Sequence, residues 1–165
     1  MDKTEILKEK LADAEVVLIG IGEEFNEKFD RIAEHEQLVK GLELVDAKEE
    51  LAWMVPYFEK IYLQEQNQSD ILSAYRNLYE LVKDKNYYIV TTCIDGLIQK
   101  AGFKPEKIVE PCGNYEKMQC SAKCSTKLYE SEEYANKIKE ALQDGTLEQV
   151  EQPVCPDCGA PLAFN

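Results

Sequence analysis

Cysteine is the residue type with the most chemistry to offer in this chain, and four of the six cysteines fall in two close pairs. Cys120 and Cys124 form a C-x3-C pair, and after thirty intervening residues Cys155 and Cys158 form a C-x2-C pair. Thiolates at this spacing can wrap one tetrahedral ion, and Pro156 and Gly159 supply the tight turn of a zinc knuckle. Zinc is the default metal because four sulfurs suit it and it needs no redox partner. Scattered buried thiols or an iron–sulfur cluster are the alternatives. A closed shell of four thiolates leaves no open coordination position, so the expected role of the ion is structural.

Three further features bear on chemistry. The turn Gly20-Ile21-Gly22 follows a β-branched run and could bring backbone amides to a phosphate at a helix N-terminus. Glu23 and Glu24 come next, where a helix is expected to begin. Carboxylates there satisfy the helix dipole themselves and repel a pyrophosphate, which favours a structural turn. Asp95 lies just past the C-terminal end of a predicted parallel strand, the edge where open α/β sheets bind ligands, and it could equally cap the short helix that follows. Cys93 and Cys112 stand outside the paired set and read as inert buried thiols, with a thiol-dependent enzyme as the rival reading. His35 is the only histidine and sits in a charged stretch, so a solvated surface residue is expected and no histidine base or triad.

The elements that position these residues alternate between helix and strand. Residues 3–14 read as an amphipathic helix with Ile6, Leu7 and Leu11 on one side. Residues 15–20 form a continuous apolar run of the kind that suits a strand buried on both faces. Pro56 should start or kink a helix within the aromatic stretch 51–63, where Trp53, Tyr57, Phe58 and Tyr62 read as core. Ser69 and Asp70 can cap a helix whose Ile71, Tyr75, Leu78 and Val82 share one face. Residues 87–92 form a second strand, 97–102 a short helix stopped by glycine, and 107–110 a third strand. This alternation predicts an α/β domain with a parallel sheet. From Pro111 the texture changes to cysteines, glycines and short segments, with a surface helix over 131–144 between the cysteine pairs. The expected division is an α/β region over 1–114 and a zinc-binding module over 115–165.

The 165 residues suit one domain with a small inserted module. With 19 basic and 32 acidic residues the net charge is −13. That field repels phosphate backbones and anionic lipid, which argues against nucleic acid or a membrane surface and in favour of a basic peptide or protein partner. The N-terminus has no basic region followed by an apolar core, so it does not read as a signal peptide, and no apolar run is long enough to span a bilayer. The expected compartment is the reducing cytoplasm, where cysteines serve metals or reactive chemistry more often than disulfides.

The order of strand, Gly20-x-Gly22, Thr91-Thr92-Cys93-Ile94-Asp95, Cys112-Gly113-Asn114-Tyr115 and two cysteine pairs resembles the sirtuins (Sir2 family), most closely the bacterial subgroup linked to macrodomain operons. Residues 86–124 and the Cys155-Pro-Asp-Cys158-Gly knuckle carry the resemblance most clearly. It covers nearly the whole chain but not the whole family domain. It implies a Rossmann-like NAD domain, here with an incomplete second half of the sheet, and a small inserted four-cysteine zinc module. It also implies cleavage of NAD at the nicotinamide bond, with transfer of ADP-ribose to an acetyl-lysine oxygen during deacylation or to an acceptor protein. By resemblance Gly20 and Gly22 belong to the NAD-binding turn, Thr92, Cys93 and Asp95 surround the nicotinamide and its ribose, and Cys112 holds the catalytic position.

The departures from the family pattern fall on the same ligand. Glu23 and Glu24 replace the small residues that face the phosphates, Cys93 replaces the asparagine of the nicotinamide pocket, and Cys112 replaces the catalytic histidine or glutamine. These changes predict that NAD binding and deacylation are lost. A non-catalytic zinc-bearing interaction domain is the alternative function. An incomplete sheet is expected to leave an edge and apolar surface uncovered, which homodimerisation would cover.

Overall fold

Val16–Ile21 (β1) and Asn86–Thr91 (β2) pair in parallel along their full length, with Val16 opposite Asn86 and Ile21 opposite Thr91. Ile108–Val109 (β3) adds in parallel to the other edge of β2, which gives the order β1-β2-β3. The structure is a computed structural model that describes residues 2–29, 31–66 and 69–164. Tyr87, Ile89 and Thr91 of β2 point inward, against Leu72, Tyr75 and Val82 of α4 (Asp70–Val82) and Leu97 and Ile98 of α5 (Leu97–Lys100). The cap of α4 is the expected one: Ser69 Oγ accepts from the Leu72 amide at 3.0 Å.

The opposite face of the sheet is bare, contrary to the expectation for the run 15–20. Leu18 is 75% exposed, and Val16, Tyr88, Val90 and Val109 are exposed with it. The physical reason is that the buried residues of α4 and α5 gather on the Tyr87–Ile89 face alone. The helix α1 (Lys3–Asp13) precedes β1 and buries none of its residues.

A second apolar cluster is organised by an antiparallel sheet of order β5-β4-β6, made by Lys117–Cys120 (β4), Leu128–Glu130 (β5) and Leu162–Phe164 (β6). Against it pack α6 (Glu132–Asp144), α2 (Glu36–Ala47) and α3 (Val55–Glu65). Pro56 lies in the first turn of α3, where its missing amide proton costs nothing. Met54, Phe58 and Tyr62 are all but inaccessible, so the aromatic stretch is core as expected. At Gly41 the helices approach so closely that a Cβ would lie 2.7 Å from Leu142 and 2.9 Å from Phe58.

One lysine ties the clusters together, and a second is buried beside it in α3. Lys100 of α5 donates to the Leu63 carbonyl at the end of α3 at 2.9 Å. Lys60 of α3, 1% exposed, is neutralised by Glu116 at 2.9 Å.

Three local expectations are corrected. The helix expected from Glu23 is only a three-residue 3-10 turn, Glu23–Phe25, so its two carboxylates face no helix dipole. The strand at 107–110 shrinks to two residues. His35 is half-buried, with its ring 5.2 Å from that of Tyr62 and its Nδ1 3.4 Å from Glu65, because the turn before α2 folds against the end of α3.

Candidate functional site

The parallel register brings the ends of β1 and β2 side by side, and the Thr92 amide donates to the Ile21 carbonyl at 3.0 Å. The chain that leaves β1 then folds across this edge. The Cys93 thiol donates to the Gly22 carbonyl at 3.1 Å, the Ile94 amide to Asn26 Oδ1 at 2.9 Å, and the Glu27 amide to Asp95 Oδ2 at 2.8 Å. The second carboxylate oxygen of Asp95 accepts from the Leu97 amide at 2.9 Å, so it also caps the start of α5. Both oxygens of a side chain that is only 6% exposed are therefore held by backbone amides.

Burial raises the Asp95 carboxyl above its ordinary value, the Glu27 and Leu97 amides oppose that shift, and the nearby Glu27 carboxylate adds to it. Tyr75 reaches the same place from α4. It is fully buried, and burial followed by the Cys93 thiol pushes its phenol far up. The Phe25 ring closes over it at 5.2 Å.

Among the residues singled out in the sequence, Gly22, Cys93 and Asp95 are brought together by this loop. Gly20 lies on the bare face of β1, and Thr92 is exposed at the end of β2. Neither Gly20 nor Gly22 has a positive φ, and a Cβ at either would meet nothing within 4 Å. Cys112 was expected to be buried and is exposed, because it sits on the turn after β3 beyond the packed layer. Asn26, Glu27 and Tyr75 were not anticipated. Tyr75 reads as core in the periodicity of α4, and a backbone amide such as that of Glu27 has no residue-type signal.

The four paired cysteines converge at the end of β4. Cys120 Sγ lies 3.5 Å from Cys158 Sγ, Cys124 Sγ lies 3.5 Å from Cys155 Sγ, and all four sulfurs fall within 4.8 Å of one another. A tetrahedral shell with metal–sulfur bonds of about 2.3 Å puts its sulfurs about 3.8 Å apart, so the donor set and its spacing fit one such ion. The knuckle is closed by the Gly159 amide on the Cys155 carbonyl at 2.8 Å, with Gly159 at φ 75°, a conformation that favours glycine. Burial opposes ionisation of Cys155, but the Asp157 and Cys158 amides and the Cys124 thiol together bring it down to about 6. Lys127 and Asp157, 2.8 Å apart, brace the two pairs against each other.

The model of the Sir2 family matches residues 15–163. This chain belongs to the Sir2 family. Among curated proteins, a "Protein ADP-ribosyltransferase" of Staphylococcus aureus (strain Mu50 / ATCC 700699) is 25% identical, over 99% of this chain and 56% of that protein. Solved sirtuin structures share the fold. Sir2Tm bound to a propionylated peptide superposes with a TM-score of 0.52 at 20% identity, over 100% of this chain and 63% of that one. A Sir2 homologue in complex with ADP-ribose superposes with a TM-score of 0.59 at 16% identity, over 100% of this chain and 62% of that one. The chain thus spans a little over half the length of the curated relative it matches. No helix among the described residues is long and apolar enough to cross a membrane.

Proposed function

We propose that this chain is a zinc-bearing sirtuin-fold domain that works by holding a protein partner, with its NAD-side pocket kept shut by its own loop. One observation carries the reading. Asp95, which the family resemblance assigns to the nicotinamide and its ribose, has both carboxylate oxygens engaged by the Glu27 and Leu97 amides. Glu23 and Glu24 stand exposed on the turn that a pyrophosphate would have to approach, and like charges there oppose binding. Cys112 provides a thiol where the family uses histidine or glutamine, which does not suit it to deacylase chemistry. Cys120, Cys124, Cys155 and Cys158 would hold one zinc ion in a structural role, since four thiolates close its shell. Four cysteines on a metal and two left as thiols fit a reducing compartment such as the cytoplasm. The bare face of the three-stranded sheet is the candidate surface for pairing with a second copy.

A second reading is NAD-dependent ADP-ribosyl transfer to a protein acceptor, in which the loop over Asp95 lifts to admit the dinucleotide. It is favoured by Gly20 and Gly22, which no packing demand explains, and by the ADP-ribosyltransferase name of the Staphylococcus relative. Thermal melting with NAD or ADP-ribose at up to millimolar concentration, followed by calorimetry, separates the two, because a ligand that binds the folded state must raise the melting temperature. The first reading expects no shift. Micromolar affinity for either ligand overturns it and supports the second.

A further inference from the structure

The helix α6 and the chain that returns beside it after residue 146 leave a groove of about 590 Å³ that ends at Val154, next in sequence to Cys155. Tyr134 and Val150, both half-buried, and Val154, 52% exposed, supply its apolar surface. Glu140, Asp144 and Glu151 are exposed along it. Its one basic lining residue among the described residues, Lys137, is engaged by Glu133 at 2.6 Å, so it does not offset the acids. At Tyr134 and Val154 the groove runs on into a hollow of about 350 Å³ lined also by Glu130 and Glu133, whose charges are met by Lys117 and Lys137. Apolar surface rimmed by one sign of charge selects for an occupant that carries both apolar and opposite-sign side chains.

We infer that this groove docks a basic peptide segment of a partner protein, with lysine or arginine side chains facing Glu140, Asp144 and Glu151 and an apolar side chain set against Tyr134 and Val154. The inference rests on the reading of the chain as an interaction domain and supplies the partner's chemistry. The 13 residues of α6 span about 20 Å, which accommodates about six residues of extended peptide. The net charge of −13 draws such a segment in, and the groove sets apolar surface beside exposed acids.

The test uses the zinc-loaded chain and a fluorescent decapeptide with three leucines spaced among lysines. The same peptide with glutamate in place of lysine serves as control. Anisotropy at low salt should give saturable one-to-one binding that weakens steeply as salt is raised. The combined reversal Glu140→Lys, Asp144→Lys and Glu151→Lys should weaken binding at least tenfold. Val154→Ser, at an exposed position that leaves folding intact, should weaken it several-fold on its own and keeps the test valid if the triple variant folds poorly. Reversal of Glu5, Glu9 and Asp13 on α1 should change affinity by less than twofold. Absence of binding, equal loss from the α1 reversals, an unaffected Val154→Ser variant, equal affinity for the acidic peptide, or a second copy of the chain occupying the groove each overturn the assignment. NAD titrated in parallel keeps the two proposals apart. Peptide failure without NAD binding removes the groove alone, whereas NAD binding removes the functional reading whatever the peptide does.

Discussion

Asp95 joins three parts of the chain through one carboxylate, so it is where a single substitution reads the closed loop most directly. Asp95→Asn keeps an acceptor for the Leu97 amide but turns an NH2 group toward the Glu27 amide. Hydrogen exchange at Glu27 should quicken at least tenfold while exchange in the middle of β2 is unchanged, and an unchanged Glu27 rate would show that the loop is held by something else. The pH dependence follows from burial. The folded carboxyl titrates above its ordinary 3.8, so between the two values the folded state holds a proton that the unfolded chain has lost. The stability linked to that proton is fully present below about pH 4 and is lost as pH rises through the folded value. The margin of the native chain over Asp95→Asn in denaturant midpoint should therefore shrink as pH is raised from 4 toward 7. The two unpaired thiols separate by access. Cys112 is exposed, and Cys93 is 2% exposed with its thiol on the Gly22 carbonyl. In the zinc-loaded chain a thiol reagent should modify Cys112 well before Cys93, which corrects the expectation of two equally sluggish buried thiols. Equal rates would mean that the loop over β2 opens as fast as the reagent reacts.

Among the elements, β4 connects the four-cysteine cluster to the core. Cys120 ends the strand, and two residues earlier Met118 is fully buried and accepts from the Tyr57 hydroxyl of α3 at 2.8 Å. Removing zinc with a chelator should lower stability by several kcal/mol and strip exchange protection from β4, β6 and the cysteine loops before β1 and β2 are affected. Metal analysis of the purified chain should find about one zinc ion per chain, because four thiolates complete one tetrahedral shell. A chain that keeps its melting curve after complete metal removal would refute a structural role. Gly41 marks how closely α2, α3 and α6 approach. Alanine there drives its Cβ against Leu142 and Phe58 and should cost about 1–3 kcal/mol, despite alanine's better helix propensity.

For the molecule as a whole, the outstanding demand is the bare sheet face. Parallel sheets are covered on both sides in stable folds, and here Leu18, Val16, Tyr88, Val90 and Val109 present a continuous apolar surface to water. Self-association of this face at high micromolar concentration is expected, and Leu18→Lys at its centre should abolish it in sedimentation equilibrium. The same variant should leave the stability of the monomer within about 0.5 kcal/mol, because the side chain is already 75% exposed. A chain that stays monomeric at every concentration would assign the face to another cover.

Short-range patterns along the chain determine much of this protein. The four-cysteine cluster is legible because each cysteine pair is spaced by the local turn that brings two thiols side by side. The helix α4 is legible from its cap and its periodicity, and β1 and β2 from their β-branched and aromatic runs, which lie within one residue of the strands themselves. Asp95 is legible as a strand-end carboxyl, with cap and ligand readings left open. The tertiary structure decided that it caps α5 and also holds an amide 68 residues away. It also decided that α2 and α3 pack against the second sheet, that Cys112 faces solvent and that one face of the parallel sheet is bare. Each of these depends on which distant segments meet, and on backbone groups that every residue carries alike, so no residue type or spacing along the chain announces them.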